Sequence, residues 1–187
     1  MGVISPNVLN QRRPTGEGTY RVCEGCPSSK ACCTRVSPDG EMGQPVLLPE
    51  DVKKISEATG LDASAFLVPN SGSPSGLARL ASGETGCMFH EGGRCIIYDV
   101  RPTDCRLFPF DLVERGNGEI VWVAYTDLCP TSYDPRSFFE EVKPLLARLH
   151  PHVREFARDQ PPGMAVRERI ELGPVDLDFG IDAGVGV

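Results

Sequence analysis

Eight cysteines in a chain of 187 residues are the side chains whose spacing most clearly indicates chemistry. A dense group, C-E-G-C-P-S-S-K-A-C-C, occupies 23–33, and a dispersed group follows across 87–129. The eight are Cys23, Cys26, Cys32, Cys33, Cys87, Cys95, Cys105 and Cys129. Thiolates bind soft metal ions such as zinc and the iron of iron–sulfur clusters, and a reducing compartment leaves thiols free for that role. We therefore expect all eight to be metal ligands.

Three other uses of cysteine fit the sequence less well. Disulfide frameworks belong mainly to short secreted chains, and the first residues lack the apolar core of a signal peptide. A thioredoxin-like pair at Cys23-x2-Cys26 would need a helix directly after it, which Gly25 and Pro27 oppose. A zinc ribbon would need a second C-x2-C pair, and the later cysteines are seven or more residues apart. Thiolates suit both zinc and iron–sulfur clusters, and the wide dispersion favours a cluster.

The adjacent pair Cys32–Cys33 affects how the eight cysteines can be distributed between metal sites. Neighbouring side chains on an extended backbone point to opposite faces, so the two thiols can serve different structures. We expect the dense and dispersed groups to meet in space and to share one centre, because two separate loop-rich halves would each have too small a core. His90, three residues after Cys87, is an alternative to a thiolate ligand.

Two arginines accompany the third cysteine of the dispersed group. Arg101 and Arg106 flank Cys105 at positions −4 and +1, where a guanidinium could offset thiolate charge or donate N–H···S hydrogen bonds to the bound cofactor. The alternative for each arginine is a surface ion pair, for instance with Asp99 or Asp104. The stiff Pro102 beside Arg101 favours the first interpretation.

Charge and hydropathy narrow the classes of partner. The formal net charge is −7, and the isoelectric point is near 5.0, so nucleic acid is not an expected partner. No window of 18 apolar residues occurs in the sequence, which predicts no membrane insertion. Free thiols without a leader peptide predict a cytoplasmic protein.

Capping signals predict several helices. Pro49 and two following acids suit a first helical turn, and Gly60 ends that helix. Asp62 can cap a short helix over 63–68. Asp99 is the predicted cap of a further short helix within the dispersed cysteine group.

A C-terminal helix is predicted to be the longest one. It begins at Asp134-Pro135, is kinked at Pro144 and is separated by Pro151 from a final segment over 152–159. Its apolar residues recur at helical spacing, namely Phe138, Phe139, Val142, Leu145, Leu146 and Leu149.

Strand signals are short except for one hairpin. Brief strands are predicted over 77–80 and 94–98, and another over 166–172. The clearest hairpin pairs 110–114 with 119–125 through an R-G-N-G turn.

These elements predict an α+β fold: a small, loop-rich single domain organised around a cysteine metal centre, with a β-hairpin and a C-terminal helix. The 20 glycines and 17 prolines limit long regular elements. We expect a flexible N-terminal arm over 1–20, a cysteine-cluster metal-binding domain over 21–160 and an irregular C-terminal tail over 161–187.

Six separated pieces of the sequence resemble one known family. In order they are C-x2-C, a CC doublet, G-C, C-x-I-Y, R-P-x-x-C-R-x-[FY]-P and C-P. The stretch of roughly 20–131 resembles the bacterial and archaeal CxxCxxCC (YkgJ-type) cysteine-cluster family, described as a "putative zinc- or iron-chelating domain". The five-residue gap before Cys32 is longer than the family's name implies. The matching positions are the eight cysteines with Tyr98, Arg101, Pro102, Arg106 and Pro109.

The resemblance implies chelation and leaves three functions to compare. The first is an iron–sulfur protein that acts as a redox or accessory module. The second is a zinc-bound structural or interaction domain. The third is an enzyme, either an iron–sulfur oxidoreductase or one that modifies a protein or peptide partner, because a related cysteine pattern occurs in flagellin lysine methylases. The sequence contains no nucleotide-binding loop and no metalloprotease motif, so no catalytic residue is assigned.

Overall fold

The computed structural model describes residues 32–36, 43–69, 76–84, 86–91, 94–128, 134–150, 152–159, 164 and 167–176. The α-helices of these residues are α1 (Pro49–Thr59), α2 (Thr103–Leu107), α3 (Pro135–Val142), α4 (Leu146–Leu149) and α5 (Val153–Arg158). Short 3₁₀ helices cover Cys32–Arg35, Ala63–Ala65, Tyr98–Val100 and Lys143–Leu145. The strands are β1 (Val46–Leu47), β2 (Ala78–Arg79), β3 (Ser82–Gly83), β4 (Gly86–Cys87), β5 (His90–Glu91), β6 (Arg94–Cys95), β7 (Phe110–Glu114), β8 (Ile120–Tyr125) and β9 (Arg169–Pro174).

All strand pairs named above are antiparallel. Three two-stranded ribbons, β1–β2, β3–β4 and β5–β6, precede a three-stranded sheet in the order β7-β8-β9. Each ribbon contributes only two residues per strand, so its position depends on packing against the core and not on a long ladder of hydrogen bonds. The predicted α+β class is confirmed.

Helix α1 has the ends that its sequence predicts. Pro49 occupies the first turn, where a missing N–H group costs nothing, and Glu50 and Asp51 lie at the positive end of the helix dipole. The helix ends at Gly60, whose φ of 70° is readily adopted only by glycine and whose N–H donates to the Ser56 carbonyl. Ile55 is fully buried on its inner face.

The predicted hairpin is present within one residue of its expected ends. Gly118, with φ of 82°, supplies the left-handed turn residue between β7 and β8. Side chains of β8 alternate between two apolar clusters: Trp122 packs with the C-terminal helices, whereas Val121 and Tyr125 face the opposite side. The predicted strand over 166–172 forms as β9 over 169–174, and it pairs with β8.

The predicted C-terminal helix is divided into shorter pieces. A 3₁₀ turn that contains Pro144 separates α3 from α4, since proline has no N–H for the helical ladder. Helix α5 follows as the predicted final segment. Among the described residues the longest helix is therefore α1, with 11 residues, and not the C-terminal one. The apolar stripe is buried against the hairpin as expected, through Val142, Leu145, Leu146 and Leu149.

Two local predictions in the cysteine region are wrong. The strand expected over 94–98 stops at Cys95, because a turn and the 3₁₀ helix from Tyr98 follow. Asp99 does not cap the next helix: α2 begins at Thr103, directly after Pro102. The residue before a proline is disfavoured in helical geometry, so a helix cannot run continuously from 99 through Arg101. The short helix predicted over 63–68 is also reduced to the 3₁₀ turn Ala63–Ala65.

In the part of the chain that the structure describes, no helix is long and apolar enough to cross a bilayer.

Candidate metal centre

Four cysteines from four different elements form what we call the thiol cluster: Cys32 of the first 3₁₀ helix, Cys87 of β4, Cys95 of β6 and Cys105 of α2. Cys87, Cys95 and Cys105 are free thiols. Burial, together with the charges of Cys87 and Cys32, raises the pKa of Cys95 to about 12. Burial raises the pKa of Cys105 well above its ordinary value, and the charges of Asp104, Cys87, Cys32 and Cys95 add to that rise. The four sulfurs therefore lie within electrostatic reach of one another.

An apolar core supports the thiol cluster. Cys87 belongs to this core, and Cys95 packs against it. Its other fully or nearly fully buried members come from the 3₁₀ helix region, β1, α1 and the turns after the cysteines: Val36, Leu47, Ile55, Phe66, Leu80, Phe89 and Ile97. Each such side chain contributes roughly 1.5–3 kcal/mol of burial free energy, which is enough to hold two-residue strands in place.

Two of the cysteines lie in matching turns. Cys87 ends β4, and the N–H of Phe89 donates to its sulfur; Cys95 ends β6, and the N–H of Ile97 donates to its sulfur. Both hydrogen bonds lower the pKa of the thiol, against the larger opposite effect of burial. Phe89 and Ile97 are buried and fix the two turns to the core. Backbone N–H groups aimed at sulfur stabilise the thiolate form that a metal requires.

Two aspartates fix the helix that carries Cys105. The Asp51 carboxylate accepts hydrogen bonds from the N–H of Thr103 at 3.1 Å and from its hydroxyl at 3.0 Å, which joins α1 to the first residue of α2. Asp104 accepts from the N–H of Val46 in β1 at 2.8 Å. Burial, with the charge of Asp111, raises the pKa of Asp104 to about 7. The orientation of α2 is thus set by two contacts to distant parts of the chain.

The two predicted supporting arginines have different surroundings. Arg101 is buried, donates to the Tyr98 carbonyl at 3.0 Å and lies 4.0 Å from the centre of the Tyr98 ring. Its charge lowers the pKa of Cys95. Arg106 is half-buried and donates to the carbonyls of Arg101 at 3.2 Å and Asp99 at 2.7 Å. The hydrogen bonds of Arg106 therefore stabilise the segment before α2. Of the two arginines, Arg101 is the one whose charge contributes to the pKa of Cys95.

The dense cysteine group is described only in part. Cys32 is close enough to the dispersed group to raise the pKa of Cys87, whereas Cys33 packs against the apolar core that supports the thiol cluster. Cys23, Cys26 and Cys129 lie outside the described residues. Among the residues that the structure describes, no three His, Cys, Asp or Glu side chains are arranged so that they could hold a metal ion. The four described thiols therefore lie within electrostatic reach of one another but are not by themselves arranged as a metal-binding group.

The sequence did not identify Asp51 as a residue that organises this site. Its contact to Thr103 spans 52 positions, so no local pattern announces it. The N–H donors of Phe89 and Ile97 were also unrecognised, although a cysteine followed two residues later by a large apolar residue occurs twice, in C-M-F and C-I-I. That repeated spacing is the signal that could have found them.

Comparison with known proteins identifies the family of the chain. A family model described as "CxxCxxCC: Putative zinc- or iron-chelating domain" matches residues 22–130. The match covers more than half of the chain and includes all four cysteines of the thiol cluster. The chain belongs to the CxxCxxCC family. No curated protein and no solved structure shows significant similarity to it.

Proposed function

We propose that this protein is a metal-binding domain that holds an iron–sulfur cluster through its thiol cluster and acts as a redox or accessory module. The observation that carries the proposal is the gathering of four thiols from four elements, of which Cys87 is buried and both Cys87 and Cys95 accept N–H···S hydrogen bonds. This donor set fits soft metals, since thiolates are the preferred ligands of zinc and of iron–sulfur clusters.

The spacing of the thiols favours a cluster over a single ion. Zinc–sulfur bonds of about 2.3 Å hold the sulfurs of a zinc site within about 4 Å of each other. In the sequence, the cysteines of the dispersed group are seven or more residues apart, and they lie on different elements. A cluster with several irons is a wider object and accepts ligands from more widely separated sulfurs. Bound there, it would supply one-electron redox chemistry, while zinc would supply a structural cross-link.

The role of the chain's own residues follows from their positions. Cys32, Cys87, Cys95 and Cys105 would hold the metal, and Arg101 would offset part of the negative charge of the thiolates. Cys23, Cys26 and Cys129 remain ligands predicted from the sequence, as does the supporting role of Arg106, whereas Cys33 packs against the apolar core and is given no metal in this proposal. A cytoplasmic location, which keeps thiols reduced, is part of the proposal, and so is a protein or peptide partner for an accessory module.

Metal analysis of anaerobically purified protein tests the proposal. We expect iron and acid-labile sulfide in comparable amounts, with sulfur-to-iron charge-transfer absorption in the visible range. The double variant Cys87→Ser/Cys95→Ser should lose both. Ser82→Ala is the matched control, because Ser82 pairs with Cys87 across the β3–β4 ribbon and carries no metal donor of this kind.

The outcomes separate the alternatives. A zinc content near one ion per chain, with no sulfide, would indicate a structural zinc site instead of an iron–sulfur cluster. Metal far below one ion per chain in the unmodified protein, or equal metal in the double variant and the control, would contradict metal binding by the thiol cluster.

A further inference from the structure

A histidine lies directly across a ribbon from one of the cluster cysteines. Strands β5 and β6 pair antiparallel, and their register places His90 opposite Cys95. Directly opposed residues of an antiparallel pair project to the same face, with Cβ atoms about 4.5–5.5 Å apart. The imidazole of His90 and the thiol of Cys95 therefore share one side of the β5–β6 ribbon.

The Nε2 atom of His90 is buried and has no hydrogen-bond partner among the described residues. A buried ring nitrogen without a partner is unfavourable, so such an atom in a native fold calls for a bound group that satisfies it. The other histidines behave differently: His150 is exposed, and His152 is half-buried with no such orphaned atom among the described residues. The unsatisfied nitrogen is thus found at the histidine that lies beside the thiol cluster.

His90 is near two residues of the thiol cluster for two different reasons. His90 follows Cys87 by three positions, after a turn in which Phe89 is fully buried, and His90 pairs with Cys95 across the ribbon. Imidazole is a borderline donor that binds both zinc and iron, and in some iron–sulfur centres histidine replaces cysteine and raises the reduction potential.

We propose that His90 is a nitrogen ligand of the metal centre, bound through Nε2 beside Cys95. This inference rests on the proposed function and specifies the donor set of that same site as mixed sulfur and nitrogen. It gives the buried Nε2 atom a partner on the side of the β5–β6 ribbon that His90 shares with Cys95.

Pulsed electron paramagnetic resonance of the reduced, iron-loaded protein tests the assignment. We expect hyperfine coupling from a histidine nitrogen in the unmodified chain, and its loss in His90→Ala and His90→Cys. The dissociation constant for metal should rise on the order of 10–100-fold in His90→Ala. His90→Cys should regain metal and show a lower reduction potential, because thiolate replaces imidazole. His150→Ala is the control and should keep the coupling.

If the chain binds zinc instead, the optical spectrum of the cobalt(II) form distinguishes a mixed sulfur and nitrogen donor set from one of sulfur alone.

The results distinguish the His90 assignment from the proposed function. Loaded protein without nitrogen coupling, or coupling that persists in a loaded His90→Cys chain, overturns the His90 assignment and leaves thiol-based metal binding intact. Unmodified protein that takes up no metal overturns the proposed function and this assignment together. The spectra of the unmodified chain and of His150→Ala decide the question even if His90→Ala fails to fold.

Discussion

Cys32 and Cys33 are chemically identical neighbours with different surroundings. Cys32 raises the pKa of Cys87, Cys95 and Cys105, so its sulfur belongs with theirs. Cys33 packs against the apolar core instead. Both residues lie in a 3₁₀ helix and not on the extended backbone for which the split of the CC doublet was predicted, so that split stays a prediction. A serine substitution at each position therefore removes a different interaction.

We expect Cys32→Ser to weaken metal retention and Cys33→Ser to spare most of it. The first substitution removes a sulfur from the thiol cluster, whereas the second should lower the free energy of unfolding by about 1 kcal/mol, as is usual for a partly buried side chain. Metal content and the rate of metal loss to a chelator measure the difference. Equal loss in the two variants would instead make Cys33 a ligand as well.

The hairpin β7–β8 contains a buried acid and phenol next to α2. The Tyr125 hydroxyl, at the end of β8, donates to the Asp111 carboxylate at 3.0 Å, and the N–H of Leu112 donates to the same carboxylate at 2.7 Å. Both side chains are buried, so the hydrogen bonds satisfy a carboxylate that would otherwise be costly in the interior. Burial, followed by the charge of Asp111, raises the pKa of Tyr125 far above its ordinary value of 10.0.

Tyr125→Phe should lower the free energy of unfolding by about 1–3 kcal/mol at neutral pH, because Asp111 loses a buried donor. Above pH 10.0 the unfolded chain releases the tyrosine proton while the folded chain keeps it. The folded state then binds more protons, so stability falls as pH rises. The phenylalanine variant lacks this dependence, and the difference between the two proteins should shrink in alkali. Denaturant unfolding at several pH values measures it; a constant difference would show that Tyr125 ionises as freely when folded.

The two halves of the molecule are joined by a buried ion pair. Arg79 of β2 forms a salt bridge with Asp159, which directly follows α5, and donates to the Asp159 carbonyl at 3.0 Å and the Gln44 carbonyl at 2.7 Å. The side chains of Arg79 and Asp159 are only 13% and 1% exposed. The pair connects the core beneath the thiol cluster, through β1–β2, with the core formed by the hairpin and the C-terminal helices.

We expect Asp159→Ala to lower the free energy of unfolding by about 3–5 kcal/mol, because it leaves the charge of Arg79 buried and unpaired. The matched control is Glu171→Ala, which breaks the ion pair between Glu171 and Arg115. The side chain of Arg115 is 42% exposed and that of Glu171 is 52% exposed. Water screens that pair, so its loss should change stability far less. Denaturant unfolding at low and high salt compares the variants. A similar small effect of both substitutions would mean that the two halves hold together without the buried pair.

Sequence patterns were sufficient wherever the cause of a structure is local. The ends of α1 follow from Pro49 and Gly60, and the hairpin follows from alternating apolar residues around a turn with Gly118. The cysteine spacing predicted the family, which the match over 22–130 confirms. These features depend on residues within a few positions of each other, where backbone preferences act directly.

Long-range contacts decided the rest. Which cysteine of the doublet joins the others depends on how the first 3₁₀ helix packs against β4, and the start of α2 depends on Asp51, 52 positions before Thr103. The unsatisfied nitrogen of His90 becomes evident only when β5 is paired with β6 and the Nε2 atom is buried. Such contacts are fixed by the packing of the whole chain, because no local preference favours one distant partner over another.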